Sequence, residues 1–77
     1  MIYNLYTIKD KVAQEHGPIY AAKNHDVARR MYANTANQDK LRPEEYELYY
    51  IGQQDTETGI ITPVIPEPVG SAIAKEE

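Results

Sequence analysis

His16 and His25 are the residues of this chain best suited to moving protons, because an imidazole titrates near neutral pH. They stand nine positions apart, no Cys accompanies them, and the only serine, Ser71, falls near the C-terminal end. His16 reads as a loop residue and His25 as the start of a helix, both surface positions. A nucleophile and base at working distance are missing, and two histidines alone do not make a metal site. Glu44, Glu45 and Glu47 could face a divalent cation. They lack calcium-loop spacing, however, and after Pro43 they read as a solvated strand entrance. No glycine-rich phosphate loop occurs. The inventory is that of a non-enzymatic protein with no cofactor and no metal.

Nucleic-acid binding has better material. Lys9 and Lys11 close the first strand, Lys23 precedes a helix, and Arg29 and Arg30 occupy that helix's polar half. Tyr rings on a sheet face, Tyr49 among them, could stack on unpaired bases at about 1–3 kcal/mol each. The candidate nucleic-acid-binding set is therefore Lys9, Lys11, Lys23, Arg29, Arg30 and Tyr49. The competing view makes Tyr46, Tyr49 and Tyr50 ordinary sheet and interface residues and the arginines a solvated helix face. Net charge is −4 at pH 7, against a purely electrostatic binder. The sign divides along the chain: residues 1–43 hold seven basic and four acidic residues, and residues 44–77 hold one and eight. An acidic tail competing for a basic surface would reconcile the two halves.

These side chains must be held by a small set of elements. Residues 2–10 (IYNLYTIKD) are β-branched and aromatic without Gly or Pro, which predicts a strand with apolar groups on both faces. Gly17-Pro18 marks a loop, and residues 19–22 add a short extended piece. Asn24 is a good helix N-cap, and Asp26 complements the positive end of the dipole. At ~100° per residue, Val27, Ala28, Met31, Tyr32, Thr35 and Ala36 share the packing half of the helix, which ends at Asn37 and the polar stretch to Pro43. Residues 45–53 (EYELYYIGQ) form a second strand, with Tyr46, Leu48 and Tyr50 on one face and Glu47, Tyr49 and Ile51 on the other. Residues 55–59 form a hairpin loop with Gly59 free to take a positive φ. A third strand at residues 60–62 stops at Pro63, and Pro66 and Pro68 favour extended, unpaired geometry beyond it.

The fold class is α+β. It is a small β-α-β-β domain over residues 1–64, with an antiparallel hairpin, an N-terminal strand and one packed helix, then a Pro-rich flexible tail over 65–77. With 77 residues there is room for one domain, and its core is thin. Seven Tyr with no Phe or Trp suit a core that is partly wet, or a contact surface. A homodimer or higher oligomer with a shared core is expected. No apolar run approaches the ~18 residues of a membrane span, and no signal peptide precedes the first strand.

The segments MIYNLYTIKD, NHDVARRMY and ELYYIGQQDTETGIITP resemble the small nonstructural protein of gokushoviruses, single-stranded DNA microviruses of bacteria. The likeness spans residues 1 to about 68, and its most specific part runs from Tyr50-Ile51-Gly52 through Asp55-Thr56-Glu57-Thr58-Gly59 to Ile61-Thr62-Pro63. It carries no catalytic motif. The resemblance implies a viral protein in the host (bacterial) cytoplasm that binds single-stranded DNA during genome replication or packaging. A module docking onto a viral or host replication protein is the alternative.

Overall fold

The computed structural model describes residues 1–71. Five strands and one α-helix follow in chain order: β1 (Ile2–Asp10), β2 (Glu15–His16), β3 (Tyr20–Ala22), α1 (His25–Asp39), a 3-10 turn (Pro43–Glu45), β4 (Tyr46–Asp55) and β5 (Ile61–Ser71). All strand pairs are antiparallel. β1 lies at the centre, with β4 along one edge and the two short strands β2 and β3 sharing the other; β5 flanks β4. The α+β class read from the sequence is the observed one.

Local chemistry accounts for the boundaries. The Asp10 carboxylate accepts the Val12 and Ala13 N–H groups at 3.0 and 3.1 Å, turning the chain at the end of β1. Asn24 caps α1 as expected, its side-chain oxygen accepting from the Val27 N–H at 2.9 Å. The helix runs two residues beyond Asn37 and ends with Lys40 in the left-handed region (φ 54°). Its buried stripe is narrower than the sequence pattern: Ala28, Tyr32 and Ala36, one turn apart, face the sheet, whereas Met31 stays 39% exposed. Small Ala side chains let the helix approach closely.

Tyr6 and Ile8 of β1 and Tyr46, Leu48 and Tyr50 of β4 lie on the face that carries the core. Tyr6, Ala22, Ala28, Tyr32 and Leu48 form the buried cluster, with Ile8, Tyr20, Val27, Tyr46, Tyr50 and Val69 packed around it. Tyr6 is fully buried at the centre, its ring 5.9 Å from Tyr20 and 5.7 Å from both Tyr50 and His25. Its hydroxyl accepts from Asn4 at 3.0 Å and bonds His25 Nδ1 at 2.6 Å. The Tyr20 hydroxyl donates to the Ala28 carbonyl at 3.1 Å. Burial pushes the Tyr20 phenol up to about 12 and also raises that of Tyr6.

Two further features depart from the sequence pattern. The third strand does not stop at Pro63: β5 continues through Pro63, Pro66 and Pro68 to Ser71, so the segment expected as tail from residue 65 lies in the sheet. This is an outer strand, where a missing N–H is tolerated at the free edge, and the pairing is irregular between Gly52–Pro63 and Tyr50–Glu67. The rest of the expected tail, residues 72–77, lies outside the described residues. The second departure is a bulge at Ile51, which shifts the β1–β4 register between Leu5/Gly52 and Tyr6/Tyr50. Gly52 follows with φ +152°, and a Cβ there would stand 2.5 Å from the Thr62 carbonyl oxygen. Only glycine fits so close an approach.

Candidate nucleic-acid interface

Alternation along β1 and β4 sends Thr7, Lys9, Glu47 and Tyr49 to the face that α1 does not cover. Thr7 pairs with Tyr49 across the strands and Lys9 with Glu47, so the four side chains sit side by side. From the opposite edge of β1, β2 brings His16 into register with Lys9. The His16 ring meets Tyr49 edge-on, 5.1 Å between centroids at 78°. Its Nδ1 is bonded to Thr7 Oγ1 at 2.7 Å. Lys9 Nζ lies 5.7 Å from the centre of the Tyr49 ring. A tyrosine, an imidazole and an ammonium thus form one group on the uncovered face.

The group is preorganised on its aromatic side and adjustable on its cationic side. Thr7 is buried at 3% exposure, which makes it a fixed anchor for the imidazole and leaves Nε2 as the ring nitrogen available to a ligand. The Lys9–Tyr49 contact contributes only about 0.5–1 kcal/mol at a partly exposed site. Base stacking at about 1–3 kcal/mol outweighs it, so an incoming base can take the ring face while the ammonium turns to a phosphate. Glu47 opposite Lys9 offsets part of the positive field. Stacking, not charge, is the larger attraction this group can offer.

The other basic residues lie elsewhere. Lys11 is exposed in the turn after β1, at the same end of the sheet as Lys9. Lys23 is exposed between β3 and α1. Arg29 and Arg30 are exposed on α1, on the helix side of the sheet. Arg29 is also engaged: its Nε donates to the Val69 carbonyl at 2.7 Å and its Nη1 to the Asp26 carboxylate at 2.9 Å. That guanidinium ties α1 to the far end of β5. The fold therefore joins Lys9 to Tyr49, leaves Lys11 nearby, and divides Lys23, Arg29 and Arg30 from them. His16, read from the sequence as a loop residue, is the member of the group that pattern missed. Two residues of β2 are too few to give a period, and the only local cue was the β-prone stretch facing it.

A small α+β protein built on one curled antiparallel sheet, with an aromatic–cationic group on the sheet's uncovered face, is the class these features define. The chain belongs to the family of Phage ORF5 proteins, whose sequence model matches residues 3–75. It is a bacteriophage protein. No curated protein and no solved structure matches it. No helix among the described residues is long and apolar enough to cross a membrane.

Proposed function

We propose that this phage protein binds single-stranded DNA non-enzymatically on the uncovered sheet face, in the host bacterial cytoplasm, during replication or packaging of a gokushovirus-like genome. The observation that supports the reading most is the Lys9–Tyr49–His16 group, which offers aromatic surface and a cation together. A single strand can splay its bases onto such a surface; a duplex keeps its bases stacked and presents phosphates. A weakly charged site suits the acidic net charge of −4.

The test is a fluorescence-anisotropy titration with labelled oligothymidylate and with duplex of the same length. Two phosphate contacts, from Lys9 and Lys11, imply a log–log salt slope of about −1.4, or roughly sevenfold weaker binding between 50 and 200 mM salt. Tighter binding to the single strand with that shallow slope is expected. A preference for duplex, or no binding by folded protein at low salt, overturns the proposal. The second reading, docking onto a viral or host replication protein, draws on the separation of Arg29, Arg30 and Lys23 from the Tyr49 group.

A further inference from the structure

The uncovered sheet face continues past the Tyr49 group. The β1–β4 bulge takes its extra residue, Ile51, from β4, so alternation along β1 is unbroken and puts Tyr3, Leu5, Thr7 and Lys9 on that face together. Tyr3 is in register with Gln54, which pairs in turn with Ile61 of β5. Tyr3 is half-buried, as Tyr49 is. Thr7, the partner of Tyr49, stands four residues along β1 from Tyr3, which sets the two tyrosines about 13 Å apart in the strand direction. Leu5 and Gly52, in register with each other, lie between them. Both are buried, and Gly52 has no side chain, so neither raises a barrier between the rings.

The two ends of this face differ in charge. Lys9 is the one basic residue in β1, β4 and β5. Around Tyr3 stand an amide and an isoleucine, with no cation in register. Asp55, the next residue of β4, is in register with Ile2 and so belongs to the helix side. Its carboxylate accepts from the Glu57 N–H at 2.9 Å. A phosphate therefore finds attraction at the Lys9 end and none at the Tyr3 end, where the tyrosine ring is what a base can use.

We infer that Tyr3 is a second base-stacking subsite, and that one DNA single strand lies along β1 with bases on Tyr49 and Tyr3 and its phosphates neutralised at the Lys9 end. This rests on the single-strand reading above and adds to it the length and course of the ligand. A stacked strand advances about 3.4 Å per nucleotide, so the span of about 13 Å is crossed by several nucleotides. The bases on the two rings are not neighbours in sequence. Gln54, in register with Tyr3, offers an amide donor and acceptor to the edge of the base stacked there.

Fluorescence anisotropy with a labelled eight-nucleotide oligothymidylate tests this, with circular dichroism as the control for folding. Tyr3→Ala should weaken binding roughly 5- to 150-fold, the worth of one base stack, and leave the log–log salt slope at about −1.4. Tyr3→Phe keeps the ring and should bind as wild type does. A thymidine dinucleotide used as competitor reaches one ring only, so its inhibition constant should differ by less than about twofold between wild type and Tyr3→Ala. Should Tyr3→Ala lose the folded spectrum, Tyr3→Leu, which keeps apolar bulk without a ring face, replaces it. A folded Tyr3→Ala or Tyr3→Leu chain that holds the eight-nucleotide strand as tightly as wild type overturns the inference and leaves Tyr49 as the stacking site. An equal loss on the dinucleotide, or a loss with a shallower salt slope, overturns it too. A wild type that binds neither strand overturns the single-strand reading itself, and this inference with it.

Discussion

Tyr6 and Tyr49 lie one register step apart on neighbouring strands, yet they face opposite sides of the sheet and meet different surroundings. Tyr6 is sealed under α1 among Tyr20, Tyr50 and His25, with its hydroxyl held by Asn4 and His25. Tyr49 stands on the uncovered face beside His16 and Lys9. One residue type thus packs the core on one face and stands at the uncovered surface on the other. The pleat makes the division, and the single helix decides which face becomes the core. A chain this small has one helix to lay on the sheet, so the opposite face has no helix against it.

Substitutions on the two faces should therefore separate stability from binding, and Tyr6→Ala should show the largest effect. Removing a fully buried ring with its two hydroxyl partners should cost about 3–5 kcal/mol in urea denaturation, enough to unfold a marginal domain. Tyr49→Ala should do the reverse. Its stability should change by less than about 1 kcal/mol, while affinity for oligothymidylate falls by the stacking energy of about 1–3 kcal/mol, roughly 5- to 150-fold. A Tyr49→Ala protein that unfolds, or that binds as well as wild type, would erase the distinction between the faces.

Arg29→Ala sharpens the comparison from the helix side. It removes the bond to the Val69 carbonyl and should lower stability by about 0.5–1.5 kcal/mol, leaving DNA affinity within about twofold of wild type. A large loss of affinity with unchanged stability would move the DNA site to α1. A further effect is expected at high pH. Tyr20 ionises near 10 in an unfolded chain but only at about 12 in the fold, so the fold favours its neutral form. Stability from this source is complete below pH 10 and is lost as pH rises through about 12. The melting temperature of wild type should fall across that window, and that of Tyr20→Phe should fall less steeply.

Much of the fold was legible because it rests on local signals. The unbroken β-prone run of β1, the Asn24 cap, and the alternation of Tyr46, Leu48 and Tyr50 against Glu47 and Tyr49 all follow from neighbours in sequence. The extension of β5 was not legible. Proline lowers strand propensity wherever it stands, and only its place at the outer edge of a finished sheet makes it acceptable. β1 carried apolar residues on both faces, so the sequence could not say which face α1 would cover. That choice determines whether Lys9 and Tyr49 are buried or available. Their meeting depends on a pairing 42 positions apart in register, Thr7 with Tyr49, and His16 joins them through a two-residue strand. Arg29's tie to Val69 spans 40 positions and leaves no local trace, so the sequence pattern gives no sign that this arginine is engaged within the fold.

The central claim is that the uncovered sheet face, not the helix, meets DNA. Titrating isotopically labelled protein with oligothymidylate and following amide and ring chemical shifts tests it most directly. The account predicts shifts concentrated at Lys9, His16 and Tyr49, with Arg29 and Arg30 on α1 nearly unmoved. Shifts gathered along α1, with the Tyr49 ring unchanged at saturation, would contradict it.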